Sequence, residues 1–277
     1  RGRRSDPVIA SFATGGLIIE NSTGWVLDFY DAGERIGKGA FGHVRKVTNK
    51  DTGRERALKT IRKKKVTREE VQEEVNAMKC LDHPNCLKLY EVYEDAVHYY
   101  LLFDYCAGGE LTAWLAETEN GVSEKHIATA FQQILRGVLY MQSCSIVHRD
   151  LKLENFLLQD KGMDIENCVI KIADYGLACK CKDGEILTKV VGTPYIMSPQ
   201  VIKGSYDRAC DLWSCGVNLF FLLCGRPPWE GRNSKETRKL VEQGDLVFPA
   251  ADWEGVSPEA VDLIRGLLTY EPAQRLT

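Results

Sequence analysis

The sequence predicts an α+β protein, with its strands gathered early and its helices late. β-branched and aromatic runs bounded by turn residues recur at Phe29–Val47, Arg56–Ile61, Leu87–Glu91 and His98–Phe103. A single helical pattern, starting at Thr67, lies among them. From Ser123 onward the apolar residues recur instead at three and four, the spacing of a helix with one buried face. At 277 residues the chain has material for one large domain or two small lobes.

Residues 1–27 read as an arm that docks part-way along its length. Arg1, Arg3 and Arg4 make its start basic, Gly15, Gly16 and Gly24 break any long element, and Leu17-Ile18-Ile19 can pack as a short strand. The chain opens without Met and stops abruptly at Arg275-Leu276-Thr277, so it is expected to be a piece of a longer protein. Gly37-Lys38-Gly39-Ala40-Phe41-Gly42-His43-Val44 then spells G-x-G-x-x-G-x-V. Glycines let a backbone turn tightly and bring N–H donors up to phosphate oxygens. A dinucleotide-binding unit would place a helix directly afterwards. Here Val44-Arg45-Lys46-Val47-Thr48 is β-rich and Asp51-Thr52-Gly53 is a hairpin turn, which fits a glycine hairpin covering a nucleotide.

The strand Arg56–Ile61 carries Lys59, a cation placed to neutralise phosphates one strand after that hairpin. Arg62 to Lys65 and Arg68 form a basic cluster, read as a solvated face at a helix entry, with contact to a partner or acidic segment as the alternative. Thr67-Arg68-Glu69-Glu70 has the form of a capping box and starts a helix whose apolar stripe is Val71, Val75 and Met78. Glu73 and Glu74 both lie on that helix, and Pro84 ends the segment. The glycines of Phe103-Asp104-Tyr105-Cys106-Ala107-Gly108-Gly109-Glu110-Leu111 mark a hinge. Ser123 to Gln142 is a helix with Ile127, Phe131, Ile134, Val138 and Met141 on its core stripe.

The chemistry concentrates in His148-Arg149-Asp150-Leu151-Lys152-Leu153-Glu154-Asn155. A carboxylate must meet a substrate hydroxyl where it attacks a phosphate, and an amide oxygen a few residues on must face the same cavity to hold a metal ion. Asp150 and Asn155 supply both from one loop. A β-branched strand, Val169 to Ala173, leads into Asp174-Tyr175-Gly176. Asp211-Leu212-Trp213-Ser214-Cys215-Gly216 opens an apolar helix whose run Val217 to Leu223 reads as core, and Cys224 to Trp229 is a turn. A net charge of −3 argues against bulk nucleic-acid or anionic-membrane binding, and no apolar run approaches a membrane span. The ten cysteines include no C-x-x-C pair and read as reduced intracellular thiols, neither a disulfide scaffold nor a zinc site.

Taken in order, these motifs resemble the catalytic domain of eukaryotic protein kinases over roughly residues 30–277. The loop matches H-R-D-L-x-x-x-N, Ala57-Leu58-Lys59 resembles V-A-I-K, Asp174-Tyr175-Gly176 stands in the place of D-F-G, and Asp211 opens D-x-W-S-x-G. The resemblance implies a two-lobed fold: the arm over 1–27, a small β-rich N-lobe with one main helix over 28–102, a hinge over 103–107, and a larger, mainly helical C-lobe over 108–277. It implies ATP and Mg²⁺ as cofactors, with Asp150, Lys152, Lys59 and Glu74 catalytic and Asn155 and Asp174 holding the metal. Glu74 rather than Glu73 is expected to orient Lys59. The ATP site is expected to comprise Ile36, Gly37, Gly39, Gly42, Val44, Ala57, Lys59, Phe103 as gatekeeper, the backbone of Asp104 and Cys106, Glu110 and Leu157.

Lys152 two residues after Asp150, and Gly192-Thr193-Pro194-Tyr195, resemble Ser/Thr rather than Tyr kinases, with Thr193 expected to bond Asp150 and Lys152. Protein substrates with Ser or Thr near basic residues follow by resemblance, Glu110 and Glu154 meeting the basic side chains. Two departures stand out. Tyr175 replaces Phe, so its hydroxyl needs a partner. Ser198-Pro199-Gln200 replaces A-P-E, so the usual charge pairing with Arg275 is gone. Lys189 stands where many relatives carry a phosphorylated Thr, with Thr188 adjacent. Leu223-Cys224-Gly225-Arg226-Pro227-Pro228-Trp229 and Leu268-Thr269-Tyr270-Glu271-Pro272 resemble the calcium/calmodulin-related group, most of all the calcium-dependent protein kinases of plants and protists. Ca²⁺ would then act only through an EF-hand region absent from this chain, which has no D-x-[DN]-x-[DN]-G loop. An autoinhibitory and calmodulin-like segment of the full-length protein is the implied partner. The expected location is cytoplasmic, with anchoring through an unseen N-terminus as the alternative. A pseudokinase scaffold is the rival function, and a small-molecule or lipid kinase is disfavoured by the Gly192 segment and the Asp211 helix.

Overall fold

The early β-branched runs build one antiparallel sheet. The computed structural model describes residues 25–38, 42–117 and 122–277. A single helical turn, α1 (Val26–Phe29), leads into β1 (Tyr30–Lys38), β2 (Gly42–Asn49) and β3 (Glu55–Arg62). Helix α2 (Arg68–Lys79), β4 (Leu89–Glu94) and β5 (His98–Asp104) follow, and the strand order is β1-β2-β3-β5-β4. The hairpin expected at Asp51-Thr52-Gly53 forms. Asn49 Oδ1 accepts from the N–H and the hydroxyl of Thr52 at 2.9 Å, and Gly53 takes the left-handed φ of 67° that the turn requires.

Thr67 and Glu70 close the capping box of α2: Thr67 Oγ1 accepts from Glu70 N–H at 3.2 Å, and Glu70 Oε2 accepts from Thr67 N–H at 2.9 Å. Such a cap is worth about 1 kcal/mol. Strand β4 starts and ends later than Leu87–Glu91, because Val92 and Tyr93 are buried and pair with Leu101 and Tyr100 on β5. Of the expected arm, Trp25 and α1 are described. Val26 is buried in a cluster with Tyr30, Val47, Leu58, Tyr93, Tyr100 and Leu102. The expected Leu17–Ile19 strand lies outside the described residues, as does Gly39.

Helical period takes over in the rest. After β6 (Gly109–Glu110) come α3 (Leu111–Glu117), α4 (Glu124–Ser143), β7 (Ile146–Val147), β8 (Phe156–Leu158), β9 (Ile170–Ile172) and β10 (Cys179–Lys180). Helices α5 (Pro199–Lys203), α6 (Ala209–Cys224), α7 (Ser234–Gln243) and α8 (Pro258–Leu267) complete it. Ser123 caps α4 through His126 N–H, and all five stripe residues of α4 are buried. Helix α6 begins two residues before Asp211, which places that carboxylate in its first turn. The short strands make a β6-β8-β9 sheet and a β10-β7 pair.

The chain is therefore α+β. The described residues up to Asp82, with Leu87–Ala107, make one compact unit; His83–Cys86 and Gly108–Thr277 make the second. Asn85 belongs to the second because its Nδ2 donates to Ile170 O at 2.9 Å and to Gln133 Oε1 at 3.0 Å. All ten cysteines are free thiols, and no helix among the described residues is long and apolar enough to cross a membrane.

Candidate active site

In the first unit, register sorts the predicted nucleotide residues onto one face of the sheet. Val44 lies opposite both Gly37 and Lys59, and Ala57 lies opposite Phe103. Side chains alternate along a strand, so Val44, Ala57, Lys59 and Phe103 point the same way. Ile36 sits at the bulge between Arg35 and Gly37 and is exposed. Helix α2 covers this face with Glu74, whose Oε1 lies 2.6 Å from Lys59 Nζ. Glu74 is buried and Glu73 exposed, which decides between the two acids. The N–H of Asp104 donates to Lys88 O at 3.2 Å and is therefore engaged within the protein, whereas both backbone groups were open in sequence. Cys106 is half-buried just past β5.

Gly42 has a packing reason beside its expected role over phosphates. A Cβ there would stand 1.6 Å from Thr60 O, because β2 and β3 approach closely at the Gly42–Ile61 pair. Gly42→Ala is expected to lower stability by about 2 kcal/mol with or without nucleotide, read by thermal denaturation.

In the second unit the 148–155 loop assembles the reacting groups. Asp150 is buried; its Oδ1 accepts from Thr193 N–H at 2.8 Å and from Thr193 Oγ1 at 2.7 Å. Lys152 Nζ donates to Asp150 Oδ2 at 2.8 Å and to Thr193 Oγ1 at 3.2 Å. Burial pulls the Lys152 ammonium down, but the hydrogen bond and charge of Asp150, with Glu154 and Asp174, outweigh it and leave the group above the ordinary lysine value. Asn155 Nδ2 donates to Asp150 O at 2.8 Å, which makes its amide oxygen the atom suited to a cation. Ala173 N–H donates to Asn155 O at 2.8 Å and brings Asp174 alongside. Asp174 is exposed at a left-handed φ of 61°, a conformation that aspartate tolerates better than most residues. Glu110 lies opposite Leu157 on the β6-β8 pair, exposed, and accepts from Thr112 Oγ1 at 3.2 Å. Glu154 is exposed and accepts from Tyr195 Oη at 3.4 Å.

Of the residues that brace this loop, the sequence yielded one and missed others. Asp211 is the one that the resemblance to D-x-W-S-x-G implies as a brace, and its two oxygens accept from His148 N–H at 2.7 Å and Arg149 N–H at 2.9 Å. Burial pushes its carboxyl above the ordinary aspartate value, against the pull of His148 and those N–H donors. Asn218 was read as part of a core run. Instead its Nδ2 donates to Leu151 O at 2.9 Å, while Ser214 Oγ donates to Ile196 O at 2.9 Å. Asp211, Ser214 and Asn218 fall at i, i+3 and i+7, a polar stripe on a buried helix that was readable in the sequence. His148 Nε2 lies 3.0 Å from Ala173 O, tying the loop to the Asp174 turn.

Both departures find partners. Tyr175 is fully buried against His148, and its hydroxyl donates to Ile172 O at 3.1 Å. Tyr175→Phe is expected to cost about 1 kcal/mol and to leave chemistry intact, since only a hydroxyl and its neutral hydrogen bonding are lost. Thermal melts of the two proteins check this. Gln200 replaces a charge pair with two amide bonds: Arg275 Nη2 donates to its Oε1 at 3.0 Å, and its Nε2 donates to Tyr270 O at 2.7 Å. Arg275 also donates to Ala209 O and Thr269 O, at 2.8 and 3.1 Å, and lies over the Trp213 ring. Burial without a carboxylate partner pulls its guanidinium down to about 10.

A buried carboxylate bonded to a lysine and a threonine, next to an amide oxygen and an exposed aspartate, is an arrangement for phosphoryl transfer. The chain belongs to the protein kinase family: the family's model of the protein kinase domain matches residues 30–277. It is 43% identical over 243 residues to calcium-dependent protein kinase 5 of Plasmodium falciparum (isolate 3D7), covering 87% of this chain and 42% of that protein. Calcium-dependent protein kinase 4 of the same organism is 40% identical over 266 residues, covering 95% of this chain and 50% of that one. Calcium-dependent protein kinase 3 of Plasmodium yoelii yoelii is 40% identical over 280 residues, covering 100% and 51%. The chain thus spans about half the length of these relatives.

Proposed function

We propose that the chain transfers the γ-phosphate of ATP to Ser or Thr hydroxyls of proteins. The bonding of Asp150, Lys152 and Thr193 carries this reading. Asp150 orients the acceptor hydroxyl and takes its proton. Lys152, kept cationic by Asp150, stabilises charge on the transferring group. Lys59, fixed by Glu74, pairs with the nucleotide's α- and β-phosphates. Asn155 and Asp174 offer two hard oxygen donors, a set that fits Mg²⁺ shared with phosphates and water rather than an all-protein cage. When bound, the metal neutralises charge on the phosphates. Among the described residues no group of three or more His, Cys, Asp and Glu makes a separate metal cage.

Two further points support an active kinase over a scaffold. Tyr175 and Gln200 are both satisfied inside the second unit. Arg149 donates to Leu177 O at 2.6 Å and to Tyr206 Oη at 3.4 Å, and Tyr206 donates to Lys189 O at 2.6 Å. In this reading the activation segment, Leu177 to Pro199, is held by those bonds without a phosphate. Regulation by calcium is carried over from the names of the relatives, and would act through parts of the protein outside these residues. The location in this reading is cytoplasmic. A peptide array with Ser, Thr and Tyr acceptors tests the substrate class, and phosphorylation confined to Tyr would overturn it. Glu110→Ala should weaken transfer to peptides with basic residues before the acceptor by about tenfold and leave neutral peptides unchanged. Equal loss on both would remove Glu110 from substrate recognition.

A further inference from the structure

Arg62, the last residue of β3, belongs to a wider cationic face of the first unit. Arg45 on β2 lies opposite Arg35 on β1, His43 opposite Thr60 on β3, and Arg62 opposite His98 on β5. His43 and Arg45 are two apart on their strand, as are Thr60 and Arg62, so Arg35, His43, Arg45, Arg62 and His98 share one side of the sheet. Val44, Ala57, Lys59 and Phe103 take the opposite side. Toward one end the cationic side is covered by the cluster of Val26, Val47, Leu58, Tyr100 and Leu102, with the Trp25 ring edge-on to Tyr100 at 5.6 Å. At the other end Arg35, Arg45 and Arg62 are exposed.

These three guanidiniums make no ion pair with any described residue. Arg35 Nε donates to Gly37 O at 3.2 Å and Arg45 Nη1 to Gly33 O at 3.3 Å, bonds that steady the groups without neutralising them. The neighbouring acids are engaged. Glu94 pairs with Lys63 at 3.2 Å, and Asp95 accepts from the N–H groups of Val97 and His98 and from Tyr100 Oη. Like charges directly opposite on adjacent strands repel, and Arg35 faces Arg45 in that way. Burial, then the charges of Arg45, Arg35, His98 and Arg62, hold the His43 imidazole below its usual value.

We propose that this face docks an acidic peptide segment of a protein partner, with its carboxylates on Arg35, Arg45 and Arg62 and an apolar side chain beside the exposed Val97. The three arginines span three adjacent strands, about 10 Å at a strand spacing of about 4.8 Å. That is too wide for a single phosphate and suits successive carboxylates of an extended chain, whose same-side residues repeat every ~6.8 Å. Arginine forks accept carboxylates in bidentate fashion, which favours directed peptide contacts.

The test is fluorescence anisotropy with a labelled peptide of alternating Glu residues containing one Leu, titrated with the 277-residue chain at low salt. A peptide with Gln in place of every Glu is the control. The Glu peptide is expected to bind and the Gln peptide not, with affinity falling as salt rises. The double variant Arg45→Glu/Arg62→Glu is expected to bind at least tenfold more weakly, with an equal or higher melting temperature because repulsion is relieved. Arg45→Gln/Arg62→Gln gives the same readout should the charge reversal fail to fold. Unchanged binding by a folded double variant, or no binding by the unaltered chain, would overturn the proposal. So would displacement of the peptide by low-millimolar inorganic phosphate, or adsorption to phosphatidylserine vesicles without peptide binding.

Discussion

Asp150→Asn should abolish phosphoryl transfer, by about a thousandfold, while the protein keeps its fold and its stabilisation by ATP. The substitution preserves size and leaves an oxygen to accept from Thr193 N–H and Oγ1, now at 2.8 and 2.7 Å. It removes the carboxylate that Thr193 and Lys152 hold in place to take the hydroxyl proton. It also removes the charge that faces Lys152 Nζ at 2.8 Å, so the ammonium loses part of what holds it above the ordinary lysine value. Transfer rate and melting temperature, measured side by side with and without ATP, check the expectation. A variant that retains more than a tenth of the transfer rate would remove Asp150 from the chemistry.

Asp211→Ala is expected to lower stability by about 3 kcal/mol and to slow transfer as well. The side chain is fully buried, and its two oxygens satisfy the N–H groups of His148 and Arg149. Alanine leaves both donors without an acceptor in the interior, at about 1–3 kcal/mol each. Arg149 sits at a left-handed φ of 68°, which costs a non-glycine residue about 1 kcal/mol and persists because the surroundings fix it. Losing Asp211 therefore frees the backbone immediately before Asp150. Denaturant unfolding gives the stability change. A loss under 1 kcal/mol would mean that water or a rearranged loop satisfies these donors.

What was legible in the sequence was chemistry with strict spacing. Asp150, Lys152 and Asn155 sit in one short loop, and no fold knowledge beyond the motif was needed to bring them together. The capping box, the Asp51-Thr52-Gly53 turn and the stripe of α4 rest on local physics and formed as expected. Tyr206 and Arg149 were invisible as a pair because 57 residues separate them and neither lies in a local pattern that points to the other. Asn218 was missed for a different reason: averaged over its apolar neighbours it vanishes, although its distance from Asp211 repeats the helical period. The cationic face of the first unit required strand register, since Arg35, His43, Arg45, Arg62 and His98 come from four strands.

The measurement that tests the central reading most directly is transfer of radiolabelled phosphate from ATP to a basic Ser peptide by the unaltered chain, with Mg²⁺ and without calcium. The predicted result is label on the peptide serine, lost when Asp150→Asn replaces the unaltered chain and lost when Mg²⁺ is withheld. Stabilisation by ATP with no label on any Ser, Thr or Tyr peptide would contradict it and leave a nucleotide-binding scaffold in place of a kinase.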